Sequence, residues 1–416
     1  MTESQAYAER RRRLFELLPE RSLALLFAGQ APYMSGDHPY SPFHVNRNFL
    51  YLSGIAQEHS ILLLAKLDGQ EQTLLFTEHV SPTEEKWTGK RLSDDQASSI
   101  SGIETIQDVA QFEGTLGRLL RTGEYEQLYL DVEQDNWAQT ETPAHRFART
   151  FRDKYPAVPI RNPYPLICRL RSVKDEGEIA QIREALRITK DGIVRMMQHA
   201  KPGMKEYELE AHFDYALRSQ GVREHAFPSI IAGGERATVL HYVTNDQTIA
   251  EGDLVLCDLG AAVGGYSADI TRTFPITGKF TDRQRQLYEI VLKAMEATFA
   301  AIRPGATLAE LNDVTKSTYA RELKAIGLIQ EDSEVSRYYY HSVSHRLGLD
   351  THDVGSPKWP LQPGDVITVE PGLYVAEEGI GIRIEDDVVV TAEGYINLSE
   401  DIPKSVDDIE RLMANR

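Results

Sequence analysis

At 416 residues the chain has room for two domains of roughly 100 to 200 residues each, and its 26% charged and 41% hydrophobic residues exclude a disordered, collagen-like or membrane-spanning class. Asp and Glu number 63 against 45 Lys and Arg, and the formal net charge of -18 opposes binding to nucleic acid or anionic lipid. Two distant cysteines, Cys168 and Cys257, exclude a disulfide framework and a thiolate metal site and point to the cytoplasm. The opening residues lack an apolar h-region, and no apolar run reaches the ~18 residues a membrane span needs.

Taken in chain order, the first third alternates short apolar runs with polar helical stretches, the pattern of an α/β domain. Strands are expected at 23–27, 49–52, 61–65, 73–77 and 127–132, with a helix over 108–120 carrying Val109, Phe112, Leu116 and Leu119 on one side. Pro163 and Pro165 break this pattern. A long amphipathic helix follows, with Ile179, Ile182, Leu186, Ile193 and Met196 on one face and Lys201-Pro202-Gly203 as its stop. The domain boundary is placed at Ser172, giving an N-terminal domain over 1–172 and a second over 173–416. The second carries helices at 206–220, 283–301 and 308–326 among strand-rich segments, an α/β (α+β) domain of mixed or antiparallel sheet.

One internal repeat lies in that second domain. Gly252-Asp253 through Asp258 to Gly260 matches Gly364-Asp365 through Glu370 to Gly372: Gly-Asp, a β-prone run, an acid, any residue, Gly. Two copies suit a duplicated half-domain with pseudo-two-fold symmetry, each half giving an equivalent acid to a central site. After Asp258 a hairpin is expected about Gly264-Gly265, and a four-residue loop over 262–265 would set Asp258 opposite Asp269. A register shift of one or two residues is open at this stage. Folding the second copy about Glu377-Glu378 brings Glu370 near Glu385. Four carboxylates converging in a cleft of low dielectric repel one another, so bound cations are the economical compensation.

Histidines cluster around the same machinery: His241, then His341, His345 and His352 just before the second repeat. The His341/His345 pair has i, i+4 spacing but no Glu between, so it is not the zincin helix motif. Acids with one or two His make an oxygen-rich donor set that suits Mn²⁺, with two ions sharing bridging carboxylates to activate water. Cys257 sits beside Asp258 but faces the other way along a strand, which predicts packing.

This ordered set, with Asp269 in Tyr-Ser-Ala-Asp-Ile-Thr-Arg-Thr-Phe, His345 in Ser-His-Arg-Leu-Gly-Leu-Asp-Thr-His-Asp-Val-Gly, Glu370 in Val-Glu-Pro-Gly-Leu-Tyr and Glu385 in Arg-Ile-Glu-Asp-Asp, resembles the pita-bread metallopeptidases. The likeness is greatest to their Xaa-Pro aminopeptidase (aminopeptidase P) branch, with prolidase next. Ser35-Gly36-Asp37, Phe49 to Gly54 and Trp87 to Arg91 resemble the creatinase-type N-terminal domain. The resemblance implies that Asp258 chelates one divalent ion, His345 and Glu370 the other, and that Asp269 and Glu385 bridge both. The ions would be Mn²⁺, with Co²⁺ or Zn²⁺ as alternatives, and a metal-bridging hydroxide would attack the bond before proline with Glu370 as proton shuttle. His241 and His352 would contact the scissile peptide, and His341 and Arg383 would support the ligands. Substrates would be peptides with proline second, and the protein a homodimer or homotetramer in which a neighbour's N-terminal domain limits the cleft. Prolidase, a non-catalytic binding protein on the same fold and metal-free creatinase chemistry are the competing readings. Departures from the family pattern at Arg346, at Met34 and in Tyr40-Ser-Pro-Phe-His-Val bear on substrate length and subunit contacts.

Overall fold

A computed structural model describes residues 2–32, 43–133, 138 and 140–414. Met34, Ser35-Gly36-Asp37 and Tyr40-Ser41-Pro42 lie outside the described residues. The chain divides after Arg171 into two compact units. The first contains α1 (Glu3–Leu17), β1 (Ser22–Phe27), α2 (Arg47–Ser53), β2 (Ile61–Leu67), β3 (Gln70–Thr77), α3 (Glu85–Thr88), α4 (Asp94–Ser101), β4 (Ile106–Asp108), α5 (Phe112–Arg121), β5 (Gln127–Leu130), α6 (Pro143–Lys154) and β6 (Ile160–Arg161), with α7 (Tyr164–Ser172) at its end. Its six strands form one mixed sheet in the order β4-β3-β2-β1-β5-β6. Leu23, Leu25, Leu63, Leu74 and Leu128 of this sheet pack with Phe112, Leu116 and Phe151 of the covering helices in one apolar cluster.

Two expected elements of this unit differ. Residues 49–52 are helical, not a strand, because Asn46 caps α2 by accepting the Phe49 N–H at 2.8 Å and Gly54 ends it in the left-handed region at φ 70°. All of Asn48 through Ser53 is buried, so no periodicity was present to separate helix from strand. Over 108–120 the chain instead ends strand β4 at Asp108, whose carboxylate accepts the Ala110 N–H at 2.7 Å, makes a 3₁₀ turn, and starts α5 only at Phe112.

The second unit runs α8 (Glu176–His199), α9 (Glu206–Ser219), β7 (Ile230–Gly233), β8 (Leu254–Leu259), β9 (Ala262–Val263), β10 (Tyr266–Ser267), β11 (Ile270–Pro275), α10 (Asp282–Ala301), α11 (Leu308–Ala325), β12 (Val366–Val369), β13 (Gly372–Val375), β14 (Ile380–Arg383), β15 (Asp386–Val390), β16 (Tyr395–Asn397) and α12 (Val406–Ala414). Helices α8, α10 and α11 each open on a capping box, Asp175 with Glu178, Thr281 with Gln284 and Thr307 with Glu310. None of the helices among the described residues is long and apolar enough to cross a membrane.

A helix pair followed by an antiparallel hairpin occurs twice in this unit, and the hairpins carry the repeat. In the first, Gly264 and Gly265 both have positive φ, 59° and 87°, as a two-residue primed turn requires. The turn is thus two residues long rather than four. Register moves by two, so Asp258 faces Thr271 and not Asp269. In the second, pairing of Val369 with Asp386 and of Gly372 with Arg383 keeps one register and sets Glu370 opposite Glu385. Position for position, Glu385 therefore corresponds to Thr271, and Asp269 to Arg383.

The return strands meet about a local two-fold. The Glu385 N–H donates to the Thr271 carbonyl at 3.0 Å. To one side the Asp269 N–H donates to Asp387 Oδ2 at 3.0 Å; to the other the Arg383 N–H donates to Thr273 Oγ1 at 3.2 Å. These are equivalent contacts, and they make the expected pseudo-two-fold symmetry visible residue by residue.

Candidate active site

Side chains alternate across a strand, so Asp269, Thr271 and Thr273 share one face of the first return strand and Arg383, Glu385 and Asp387 share one face of the second. Those faces meet. Thr271 Oγ1 donates to Glu385 Oε2 at 2.7 Å, and Arg383 donates through Nε to Thr271 Oγ1 at 3.2 Å and through its terminal nitrogen to Asp258 Oδ2 at 2.7 Å. His345 brings Nε2 to 3.3 Å from Asp269 Oδ2 and 3.6 Å from Glu370 Oε1. Ligand atoms of Asp269, His345 and Glu385 all lie within 4.8 Å of one another. The five residues Asp258, Asp269, His345, Glu370 and Glu385 are therefore brought together.

Three observations test whether a cation fits here. First, Asp258 Oδ1 and Glu385 Oε1 are buried with no hydrogen-bond partner, a costly state for carboxylate oxygens. Second, the Arg346 carbonyl can only accept, so its 3.0 Å contact makes His345 Nδ1 the donor and leaves Nε2 facing two carboxylates. Third, the acids oppose each other's ionisation. Burial pushes the Asp269 and Glu385 carboxyls well above the ordinary range, and Asp258 and Glu370 push both further, Asp269 also feeling Asp387. Burial likewise raises Glu370, against the opposing charges of His345 and Arg383. A divalent cation removes all three penalties at once, and the donor set fits one.

Around this set stand the remaining predicted residues. The His341 ring accepts the Tyr374 hydroxyl proton at Nε2, 3.0 Å away, while Nδ1 donates to the Ser342 carbonyl at 2.8 Å. Tyr374 in turn accepts from Arg383 at 2.9 Å. Burial, then the Arg383 charge, pushes His341 down to about 4, so the ring is neutral. His352 packs its ring 4.3 Å from that of His345, and burial followed by the charges of His345 and His241 lowers its pKa. His241 is exposed on the segment after β7. Tyr374, Thr271 and Asp387 were not picked out by sequence reasoning. Thr271 was within reach of it, lying two residues after Asp269 and so on its face.

Arg346 does not line the cleft. Its guanidinium is buried and paired with Asp365 at 2.8 Å, so this departure from the family pattern braces the Gly-Asp turn of the repeat behind His345 rather than meeting substrate. Cys257 is buried on the opposite face from Asp258, its thiol pushed up by burial and then by the Asp258 charge.

Known proteins place the chain. Residues 180–392 match Metallopeptidase family M24, and residues 7–129 match Aminopeptidase P, N-terminal domain. The Xaa-Pro aminopeptidase of Escherichia coli strain K12 is 35% identical over 437 residues, covering 98% of this chain and 97% of that protein. A solved Bacillus anthracis structure assigned to aminopeptidase P superposes with a TM-score of 0.97 at 50% identity, covering 100% of this chain and 99% of that one. Zinc-substituted aminopeptidase P of E. coli, in complex with product, gives 0.92 at 32% identity, covering 100% and 99%. With both patterns matched and near-complete coverage at these identities, the chain belongs to metallopeptidase family M24 and carries the aminopeptidase P N-terminal domain ahead of its catalytic domain.

Proposed function

We propose that the protein is a metal-dependent Xaa-Pro aminopeptidase, removing the first residue from peptides whose second residue is proline. The observation that carries this reading is the convergence of Asp258, Asp269, His345, Glu370 and Glu385, with two buried carboxylate oxygens left unpartnered, in a chain related along its whole length to such enzymes. Asp258, Asp269, His345, Glu370 and Glu385 would hold the divalent metal, Asp258 on one side of the centre and His345 with Glu370 on the other. Mn²⁺ is the metal we assign from the oxygen-rich donor set, ahead of Co²⁺ and Zn²⁺. When bound, such ions supply Lewis-acid polarisation of the scissile carbonyl and an activated water.

The chain's own residues do the rest. Glu370 takes a proton from the attacking water and delivers it to the proline nitrogen as the C–N bond breaks. His241 and His352 donate hydrogen bonds where negative charge develops on the carbonyl oxygen. Arg383 fixes Asp258 by the 2.7 Å contact, and Tyr374 links Arg383 to His341. A bond preceding proline has no N–H, so the site needs no acceptor there. We also infer a cytoplasmic homodimer or homotetramer: two cysteines in 416 residues suit a reducing compartment, and Trp87, 87% exposed in the first unit, suits a subunit contact.

The test strips the protein with chelator, restores Mn²⁺, and follows release of the first residue from a matched Xaa-Pro-Xaa tripeptide and Xaa-Pro dipeptide. Tripeptide cleavage that vanishes with chelator and returns with Mn²⁺ is expected; preferential dipeptide cleavage would make it a prolidase, and binding without cleavage in saturating Mn²⁺ a binding protein.

A second expectation concerns pH. Asp269, Glu370 and Glu385 have folded pKa values above the unfolded carboxyl value of about 4. Above that pH the metal-free native state holds protons the unfolded chain has lost, so it loses stability as pH rises. Metal binding expels those protons. At a fixed Mn²⁺ concentration the stabilisation, about 2.7 kcal/mol where that concentration is a hundred times Kd and roughly 5 to 10 °C in Tm, should therefore grow as pH rises above about 4. Calorimetry showing the gain shrinking with pH would contradict this.

A further inference from the structure

Between β7 and β8 the chain runs for some twenty residues with little regular structure, a single 3₁₀ turn at Gly234–Thr238, and His241 lies in its irregular part. Backbone pairing with residues 203–206 holds its far end at Gln247 to Ile249, and side-chain contacts hold much of the rest. Four of those contacts end on one carboxylate. Glu206, the first residue of α9, has a side chain with no solvent exposure. Its Oε1 accepts the Gly233 N–H at 2.9 Å and Arg236 Nε at 2.7 Å; its Oε2 accepts the Tyr242 hydroxyl at 2.8 Å and the Gln247 N–H at 3.0 Å. The carboxylate thus binds the segment at its start, at the residue beside His241, and near its end. Asn245 adds a second tie, accepting the Ile231 N–H at 3.0 Å and donating to the Ser229 carbonyl at 2.9 Å, with its backbone held in the left-handed region at φ 48°.

The direction of His241 follows from these ties. Leu240 and Tyr242 turn inward onto the cluster of Ile230, Ala232, Leu256 and Tyr374, whereas Val239 and Val243 are 55% and 53% exposed. His241, exposed between the inward-packed Leu240 and Tyr242, is thereby turned outward, to the side from which its charge acts on His341 and His352.

We propose that Glu206 is a positioning residue for His241: its buried carboxylate, clamping the 233–247 segment at four donors, presents the imidazole to the scissile peptide. The proposal rests on the aminopeptidase reading above and adds a residue outside the metal centre and its histidines. Glu206 contacts none of the five metal-centre residues, so its contribution is separable from metal binding.

A double-mutant cycle on kcat for a Xaa-Pro-Xaa tripeptide in saturating Mn²⁺ tests it. Glu206→Gln keeps the shape of the side chain but replaces two acceptor positions with donors. On its own it should lower kcat roughly ten- to hundredfold, as small misplacements of catalytic groups do, with Mn²⁺ affinity by titration calorimetry unchanged. In the His241→Ala background the same substitution should cost nothing further. A cost equal in both backgrounds, or Mn²⁺ affinity falling in step with kcat, would mean a general structural role and overturn the proposal. If His241→Ala alone leaves kcat intact, the proposal fails through His241 instead, and a parent enzyme inactive on the tripeptide would fail the aminopeptidase reading itself. Tyr242→Phe removes a single donor and serves if Glu206→Gln does not fold. Its expected loss is roughly twofold to tenfold, again absent without His241; a loss persisting without His241 would overturn the clamp.

Discussion

Glu385→Ala is expected to abolish tripeptide cleavage while leaving the fold in place. Glu385 is 2% exposed, with Oε2 engaged by Thr271 and Oε1 unpartnered beside Asp269 and His345. If that free oxygen bridges the ions, its removal forfeits several kcal/mol of transition-state stabilisation, a fall in kcat/KM of roughly 10³-fold or more. Stability behaves differently. The backbone of residue 385 is held independently, its N–H by the Thr271 carbonyl and its carbonyl by Arg272 at 2.6 Å. Losing the Thr271 hydrogen bond costs about 1 kcal/mol, but the substitution also removes an acid whose ionisation burial, Asp269, Glu370 and Asp258 all oppose. Metal-free Glu385→Ala should therefore melt close to the metal-free parent, with an unchanged circular dichroism spectrum. The stabilisation by Mn²⁺ should be lost with the activity. Activity within tenfold of the parent would take Glu385 out of the metal set.

What the sequence makes legible here is the chemistry, and what it hides is local backbone geometry. Asp258 and Glu370 could be paired because Gly-Asp, a β-prone run and an acid recur in order, and a repeated pattern is readable without knowing the register. The Asp258–Asp269 register was not readable, because Ala262 to Gly265 admits both a four-residue and a two-residue turn. Only the positive φ of both glycines decides between them. Even so, a shift of two preserves the face, so Asp269 stays with Asp258 where a shift of one would have turned it away. Residues 49–52 failed for another reason: a short helix buried on all sides has the composition of a buried strand, and its capping Asn46 carries the information instead. The Glu206 clamp was invisible because two of its four partners are backbone N–H groups, which have no signature in sequence, and the other two, Arg236 and Tyr242, lie 30 and 36 residues away.

Asp386→Ala is expected to be the most destabilising single substitution in the catalytic unit. Arg272 and Asp386 sit on the strand faces opposite the metal-centre residues, both without solvent exposure and 2.7 Å apart. The other Asp386 oxygen accepts Lys404 at 2.6 Å and Asn397 at 2.7 Å. Arg272 meanwhile reaches the carbonyls of Thr271, Glu385, Ile402 and Pro403. Deleting the carboxylate leaves a buried guanidinium with no counter-charge, which costs roughly 3 to 5 kcal/mol, or about 6 to 20 °C in Tm for a domain of this size. Burial opposes the Asp386 charge, but Arg272 and Lys404 outweigh it and hold the pKa below the usual carboxylate range. The sign follows: this stability is present above the unfolded pKa of about 4 and is lost as pH falls through the lower folded value. Asp386→Asn should accordingly be destabilised at neutral pH yet show a flatter acid limb below about pH 4 than the parent. Because the same guanidinium holds the Thr271 and Glu385 carbonyls, Mn²⁺ affinity should weaken in Asp386→Ala together with Tm, unlike in Glu206→Gln, where affinity is retained. A melt within about 1 kcal/mol of the parent would show that the pair does not brace the hairpins.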